Sequence, residues 1–438
     1  MKNTWLIAFV VGAILVGCFV KPPKDHTPVK LQYQQAPPDN PLKGFFPFSG
    51  DFGDTFPHSM EWAHFPLREL MDGPDSFTFN QAFEPALEEI AGRGHQTVLR
   101  VHIDYPGQPS GVPQFLIDGG LKMTGYTDHE GGQSPDYSDE KLITALESFI
   151  AAFGKKYDGD PRIGFITIGL LGFWGEWHTF PHEDWFPDED VENRILKAYN
   201  RAFKKTKLMV RRPAADSPNL PIGYHDDSFA FSTLPTVEWH FVSLLRSAGL
   251  TNSWHTQPIG GELRPELQTN IWMRPIPAEP KAEDFTECVR LTHASFLTTH
   301  RIFSTPLPDE DRQRALEAAH SLGYEIHIAE VTIPEIRSGD PIEIILQVEN
   351  RGVAPFYYDW EVQLEINGEI AKTDIRLSKV LPGNPALWRP SIKLQIPAGE
   401  HAVRMRVVNP MEGGKQFRFA NEEQKSDGWL ELGTLTVM

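Results

Sequence analysis

Between about residue 41 and about residue 323 the chain alternates strand-like and helix-like segments, and this admits few folds. A helix that crosses between two strands returns the chain parallel to where it started, so repetition of the unit builds a parallel sheet. Eight strand candidates can be read: GFFPF at 44 to 48, EWAHFPL at 61 to 67, TVLRVHID at 97 to 104, IGFITIGLL at 163 to 171, KLMVRRP at 207 to 213, PIGYHD at 221 to 226, TQPIGGE at 256 to 262 and SFLTTHR at 295 to 301. In the fourth, Ile163, Phe165, Ile166, Ile168, Leu170 and Leu171 leave no polar face, as in a strand covered on both sides. An open doubly wound sheet usually stops before eight strands and often carries a Gly-rich phosphate turn after its first, which is missing here. The pattern therefore predicts an α/β fold, a (β/α)8 barrel spanning 41 to 323.

The intervening helices are partly legible. After Ser138, an expected N-cap with Asp139 and Glu140 behind it, the residues Leu142, Ile143, Leu146, Phe149, Ile150 and Phe153 form one apolar stripe at helical spacing. Weaker patterns recur in AFEPALEEIAGRG and DEDRQRALEAAHSLG, closed by Gly94 and Gly323. Residues 105 to 137, rich in Gly, Pro and Asp, are too many for an ordinary connection and read as a functional loop over the barrel mouth. From 324 to 438 the pattern becomes short alternating strands without helical period, with Asn367-Gly368 marking a two-residue hairpin. An all-β, immunoglobulin-like sandwich is expected there.

The first residues, MKNTWLIAFVVGAILVGC, combine a basic start, a short apolar stretch and small residues before a cysteine. They predict an export signal over 1 to 17. The segment Leu15-Val16-Gly17-Cys18 resembles the bacterial lipobox, which implies lipidation at Cys18 and a membrane-anchored lipoprotein in the periplasm or on the cell surface; an ordinary signal or an uncleaved anchor helix is the alternative. Residues 18 to 40, KPPKDHTPVKLQYQQAPPDNP in the main, read as a Pro-rich extended tether. The only other cysteine is Cys288, expected as a buried structural thiol, so no internal disulfide is expected. A net charge of −18 without a basic run argues against nucleic acid as a partner, whereas a neutral oligo- or polysaccharide fits.

Candidate chemistry gathers at strand ends. Glu176 follows the fourth strand between Trp174 and Trp177, a proton-transfer group beside flat surfaces suited to stacking on sugar, with His178 next to it; a capping or salt-bridged Glu among core tryptophans is the other reading. Alternation in TVLRVHID turns Leu99, Val101 and Ile103 one way and Arg100, His102 and Asp104 the other, into the barrel. Tyr224, His225, Asp226 and Asp227 near strand six, and His300 and Arg301 after strand eight, follow less firmly. Glu262, behind Gly260 and Gly261, ends the seventh strand; it is either a rim carboxylate freed by a tight glycine turn or a surface partner of Arg264. Two-carboxylate glycosidases need one protonated and one ionised carboxyl, roughly 5 to 5.5 Å apart in retaining enzymes, and strands four and seven lie across a barrel from one another.

The order Trp62 on strand two, Arg100 on strand three, Glu176 after strand four and Glu262 after strand seven is similar to the clan of (β/α)8 retaining glycosidases. That resemblance implies Glu176 as acid/base and Glu262 as nucleophile; the residues expected around the substrate are Trp62, Arg100, His102, Asp104, Trp174, Trp177, His178, Tyr224, Asp226 and His300. With NPLKGF, GFWGEWH, GGELRPE and NRGVAPFYY, the whole chain also resembles a family of exported bacterial proteins of unassigned function described as glycosidase-like. One departure is that Gly175, where the clan commonly has Asn, precedes Glu176. The remaining readings are a non-catalytic carbohydrate binder and a metal-dependent barrel hydrolase using His102, Asp104, His225 and Asp226. The histidines lack the HExxH spacing, no G-x-S-x-G elbow is present, and neither a metal nor a cofactor is expected.

Overall fold

A computed structural model describes residues 27–50 and 56–438. Cys18 and the export signal lie outside the described residues. Eight parallel strands form the barrel: β1 (Gly44–Phe46), β2 (Met60–Pro66), β3 (Gln96–His102), β4 (Ile163–Thr167), β5 (Lys207–Val210), β6 (Gly223–Phe229), β7 (Ile259–Leu263) and β8 (Phe296–Thr298). They neighbour one another in chain order, β8 pairs with β1, and a parallel bridge from Phe48 to Trp62 joins β1 to β2 and closes the ring. All eight expected strands are present, although β4 stops at Thr167 rather than Leu171 because the chain turns left-handed at Leu170 (φ 70°).

Helices α1 (Phe83–Gly92), α2 (Glu140–Tyr157), α3 (Glu189–Ala202), α4 (Phe241–Ser247), α5 (Phe285–Thr292) and α6 (Asp309–Ser321) cover the outside. Only a 3-10 turn, Ser217–Asn219, joins β5 to β6. The N-cap of α2 is Asp139, not Ser138: its carboxylate accepts the amide of Lys141. Outward residues Leu99, Val101, Ile166 and Ile168 pack on the α2 stripe of Leu142, Leu146, Phe149 and Phe153, as the alternation requires. Residues 105 to 137 are not a bare loop. They hold a short helix, Gln114–Asp118, and a hairpin of Met123–Tyr126 with Gly132–Pro135.

Beyond the barrel, among the described residues, stand a two-stranded pair of Ile342–Glu343 with Ser391–Ile392 and two larger sheets. One joins Ala386–Trp388, Ile345–Asn350, Ile326–Thr332 and, at its edge, Val29–Lys30; the other joins Glu369–Lys372, Val362–Ile366, Gly399–Val407, Leu430–Val437 and Glu335–Ile336. Asn367 (φ 56°) and Gly368 (φ 81°) make the expected two-residue turn, both left-handed. The tether reading fails from Val29 onward, since Val29 and Lys30 pair with Val331 and Glu330 while Leu31 and Ala36 are buried.

The two sheets share one apolar cluster, Ile328, Leu346 and Val348 meeting Leu364, Val403 and Met405, and this cluster runs on into Phe46, Val98, Phe165, Met209 and Phe296 of the barrel interior. Tyr358 seals the junction by donating to the Gly164 carbonyl at 2.5 Å, at the N-terminal end of β4. The C-terminal sheets therefore floor the barrel. Its open end is the one where barrel strands finish.

Candidate active site

Strand alternation sets what faces the mouth. On β3 the side chains of Arg100 and His102 turn inward and both are buried. Arg100 is the hub: Nη2 donates to Asp227 Oδ1 at 2.8 Å, Nη1 lies 3.4 Å from Glu176 Oε1, Nε reaches Thr167 Oγ1 at 3.3 Å, and the guanidinium carbon stands 5.1 Å from the Trp62 ring centroid. Burial works against the charged guanidinium, yet Asp227 and Glu176 outweigh it and raise the pKa of Arg100. Asp227 also faces His225 Nδ1 at 3.1 Å and Arg211 Nε at 3.5 Å. Burial alone would favour its neutral form; Arg100, His225 and Arg211 reverse that and hold the carboxyl well below the usual carboxylate range.

Glu176 sits in a segment of unusual backbone. Leu170, Trp174 and Trp177 all have positive φ, and Gly172 and Gly175 do too. Three non-glycine residues in the left-handed region cost roughly 1 to 3 kcal/mol each, strain of the kind found at functional loops. Gly175 (φ 69°) has an Arg100 side-chain carbon 3.3 Å from where a Cβ would stand, so glycine suits both the turn and the guanidinium beside it. Glu176 keeps 19% of its side chain exposed, with Oε2 3.6 Å from His178 Nε2 and Oε1 toward Arg100.

Glu262 projects from β7 and is half-buried. Its carboxyl is pushed well above the ordinary carboxylate range by burial, then by the nearby charges of Glu176 and Asp227, against a lowering pull from Arg100. Carboxyls from opposite walls of the barrel thus meet within electrostatic reach around one guanidinium. Gly260 and Gly261 serve packing rather than a tight turn: both lie inside β7, and an added Cβ would stand 2.3 Å from the Phe296 ring at one and 2.5 Å from the Asp226 carbonyl oxygen at the other. Arg264 pairs with Glu266 at 3.0 Å, so the surface-pair reading of Glu262 with Arg264 is not realised.

Several expected ligand contacts move. Trp177 is fully buried in the barrel's helix layer, donating Nε1 to the Ile168 carbonyl at 2.9 Å, and is a core residue. Trp174 is half-buried beside His129 and His178. Trp62 lies beneath Arg100 and against His225, in the floor of the site. Tyr224 and Asp226 face outward, because β6 runs from 223 to 229 and the inward parity falls on His225 and Asp227. Asp226 accepts from Thr233 Oγ1 at 2.6 Å and, chiefly through burial, is pushed up to about 7. Asp104 lies under the hairpin, where Tyr126 donates to it at 2.6 Å and burial carries it up to about 6. His300 packs on Phe48 near the rim.

The proposed metal set does not assemble, since His225 faces inward while Asp226 faces the helices. Among the described residues the one group of three potential ligands is His58, Glu61 and His95. Both Glu61 oxygens there already accept from Arg93, at 2.8 and 2.6 Å, which leaves a poor seat for a cation. Cys288 is buried in α5 as expected, and burial raises its thiol pKa. Residues missed as site members are His64, Tyr105 and Arg211, while His225 and Asp227 carried only the weaker strand-six expectation. The signal for His64 was present, for it stands two residues from Trp62 on one strand face.

No family model matches the sequence, and no curated protein does. Similar solved structures include endo-glycoceramidase II from Rhodococcus sp., 12% identical over 84% of this chain and 100% of that one, with a TM-score of 0.42. Another is GH5_18 from Bifidobacterium longum subsp. longum, 12% identical over 59% of this chain and 69% of that one, TM-score 0.33.

Proposed function

We propose that the protein is a carbohydrate-active enzyme, a glycoside hydrolase working through Glu176 and Glu262 on an oligo- or polysaccharide. The observation that carries this reading is the convergence of the two carboxyls from β7 and the β4 loop upon Arg100, with one of them biased toward its protonated form. Acid-assisted glycoside cleavage needs one carboxyl that holds a proton and one that is ionised. In the free protein burial and the neighbouring charges favour the neutral form of Glu262; the clan resemblance gives Glu176 the acid/base role, which requires a proton on Glu176 once a sugar is bound.

The test is a screen of aryl glycosides followed by Glu262→Gln and Glu176→Gln. Glu262→Gln should abolish turnover, and Glu176→Gln should slow substrates with poor leaving groups far more than activated ones, because only the former need a proton in the transition state. The opposite division would give Glu262 the acid role. Sugar binding without turnover, unchanged in both variants, refutes the enzyme and leaves a carbohydrate binder. We also propose export and anchoring through a diacylglyceryl group on Cys18, checked by mass spectrometry of the mature N-terminus; an unlipidated mature chain beginning elsewhere rejects it. The C-terminal sheets, with Glu335–Ile336 running parallel to Leu430–Val437 at one edge, are proposed as an immunoglobulin-like sandwich with its boundary near residue 324.

A further inference from the structure

Where β2 and β3 end lies a cavity of about 320 Å³ whose lining includes His64, Arg68, Glu69, His102, Tyr105 and Gln108. The two-carboxylate chemistry leaves these residues unused. Two of them have unspent hydrogen-bonding capacity: His64 Nε2 and His102 Nδ1 are buried without a partner, and His102 is only 6% exposed. Both imidazoles are neutral near pH 7, burial being the main cause, reinforced by Arg100 for His64 and by Arg68 for His102, which falls to about 4. A neutral imidazole offers one donor and one acceptor, a match for hydroxyl groups.

Tyr105 supplies a ring face between the cavity and the carboxyl pair. Its centroid stands 5.7 Å from that of His64 and 5.0 Å from that of His102, and the charges of Glu262 and Glu176 both act on its phenol. Tyr105 therefore lines the cavity while standing within electrostatic reach of both carboxyls. Arg68 would be the anchor for an anionic ligand, but its charge is already engaged: Nη1 donates to the carbonyls of Pro109, at 2.8 Å, and Ser110, while Nη2 faces Glu69 at 3.8 Å. Glu69 would repel a further anion.

We propose that this cavity is a second sugar subsite, taking an uncharged, hydroxyl-rich ring of an oligosaccharide whose reacting bond lies over Glu176 and Glu262. It rests on the glycosidase reading above and adds that the substrate spans at least two rings. Calorimetric titration of the full chain at pH 7 with cello-, manno- and xylo-oligosaccharides, their monosaccharides, and oligogalacturonides tests it. At least one neutral disaccharide should bind ten-fold or more tighter than its monosaccharide. Tyr105→Ala and His102→Ala should each remove that advantage, and Tyr105→Phe, which keeps the ring, should retain most of it, with unchanged melting temperatures showing that the variants fold. Length-independent binding, or an advantage that survives Tyr105→Ala, overturns the subsite even where the glutamine variants abolish turnover. Oligogalacturonides binding tighter than every neutral sugar, in an Arg68-dependent manner, overturn the neutral class, and no binding by any probe overturns the subsite together with the function it rests on. Length-dependent, Tyr105-dependent binding without turnover keeps the subsite and rejects only the catalysis.

Discussion

Replacement of Arg100 by Met removes the one cation that two inward carboxylates share. Arg100 is 2% exposed, and its nitrogens stand 2.8 Å from Asp227 and 3.4 Å from Glu176. At an effective dielectric of about 20 these contacts are worth roughly 6 and 5 kcal/mol of Coulomb attraction before desolvation is subtracted. Removing one member of a buried pair typically costs about 3 to 5 kcal/mol, since the remaining charge stays buried without compensation. The pH dependence is the sharper test. In the native protein Asp227 titrates below its unfolded value, so its contribution is present above about pH 4 and is lost only as pH falls through the depressed folded value. In Arg100→Met only His225 and Arg211 still oppose burial, so Asp227 should rise toward the behaviour of its neighbour Asp226, which burial holds at about 7. A raised folded value inverts the sign: the variant pays its full penalty above that value and is relieved as pH falls toward 4. Urea unfolding followed by tryptophan fluorescence should give a deficit of about 4 kcal/mol at pH 7.5, shrinking to about 1 kcal/mol at pH 4.5, because each pH unit below the raised value returns about 1.4 kcal/mol. Asp227→Asn added to Arg100→Met should recover part of the pH 7.5 loss. A deficit under 1 kcal/mol, or one of equal size at both pH values, refutes the account of Arg100 as hub.

Two further outcomes follow from buried groups away from the pair. Asp104, 1% exposed and raised to about 6, chiefly by burial, binds its proton more tightly when folded, so it penalises the fold above pH 6 and ceases to do so below about pH 4. Asp104→Asn should gain about 2 to 3 kcal/mol on the native chain between pH 4 and pH 8; thermal melts that stay parallel across that range exclude this. A fragment of residues 325 to 438 lacks Val29–Lys30 and the barrel side of the shared apolar cluster. It should bind a hydrophobic dye and melt without cooperativity, whereas a sharp two-state melt would restore an autonomous C-terminal domain.

The barrel strands were legible because a parallel sheet buries both faces, leaving apolar runs and a parity that single residues reveal. Arg100 and His102 on the inward parity, opposite Leu99 and Val101, were readable for that reason. Parity also explains the principal error. Tyr224, His225, Asp226 and Asp227 are polar or amphipathic on both faces, so local sequence did not decide which alternate pair faced inward, and pairing of Tyr224 with Ile259 and Asp226 with Gly261 decided it. Trp177 read as a stacking surface because an aromatic beside a carboxylate has the same local signature in a core and in a cleft; burial of its ring under the β4 loop is a property of the closed fold. The segment from Val29 read as a tether since its partner, Ile326–Thr332, lies about 300 residues further along the chain. Sequence alone thus determined the repeating strand–helix unit, the inward face of β3 and the hairpin at Asn367-Gly368, all set by neighbours a few residues apart. The approach of Glu176 and Glu262 to one guanidinium, the burial that raises the Glu262 carboxyl, and the flooring of the barrel by the C-terminal sheets came only with tertiary structure, because desolvation and long-range Coulomb forces depend on what the closed barrel brings together.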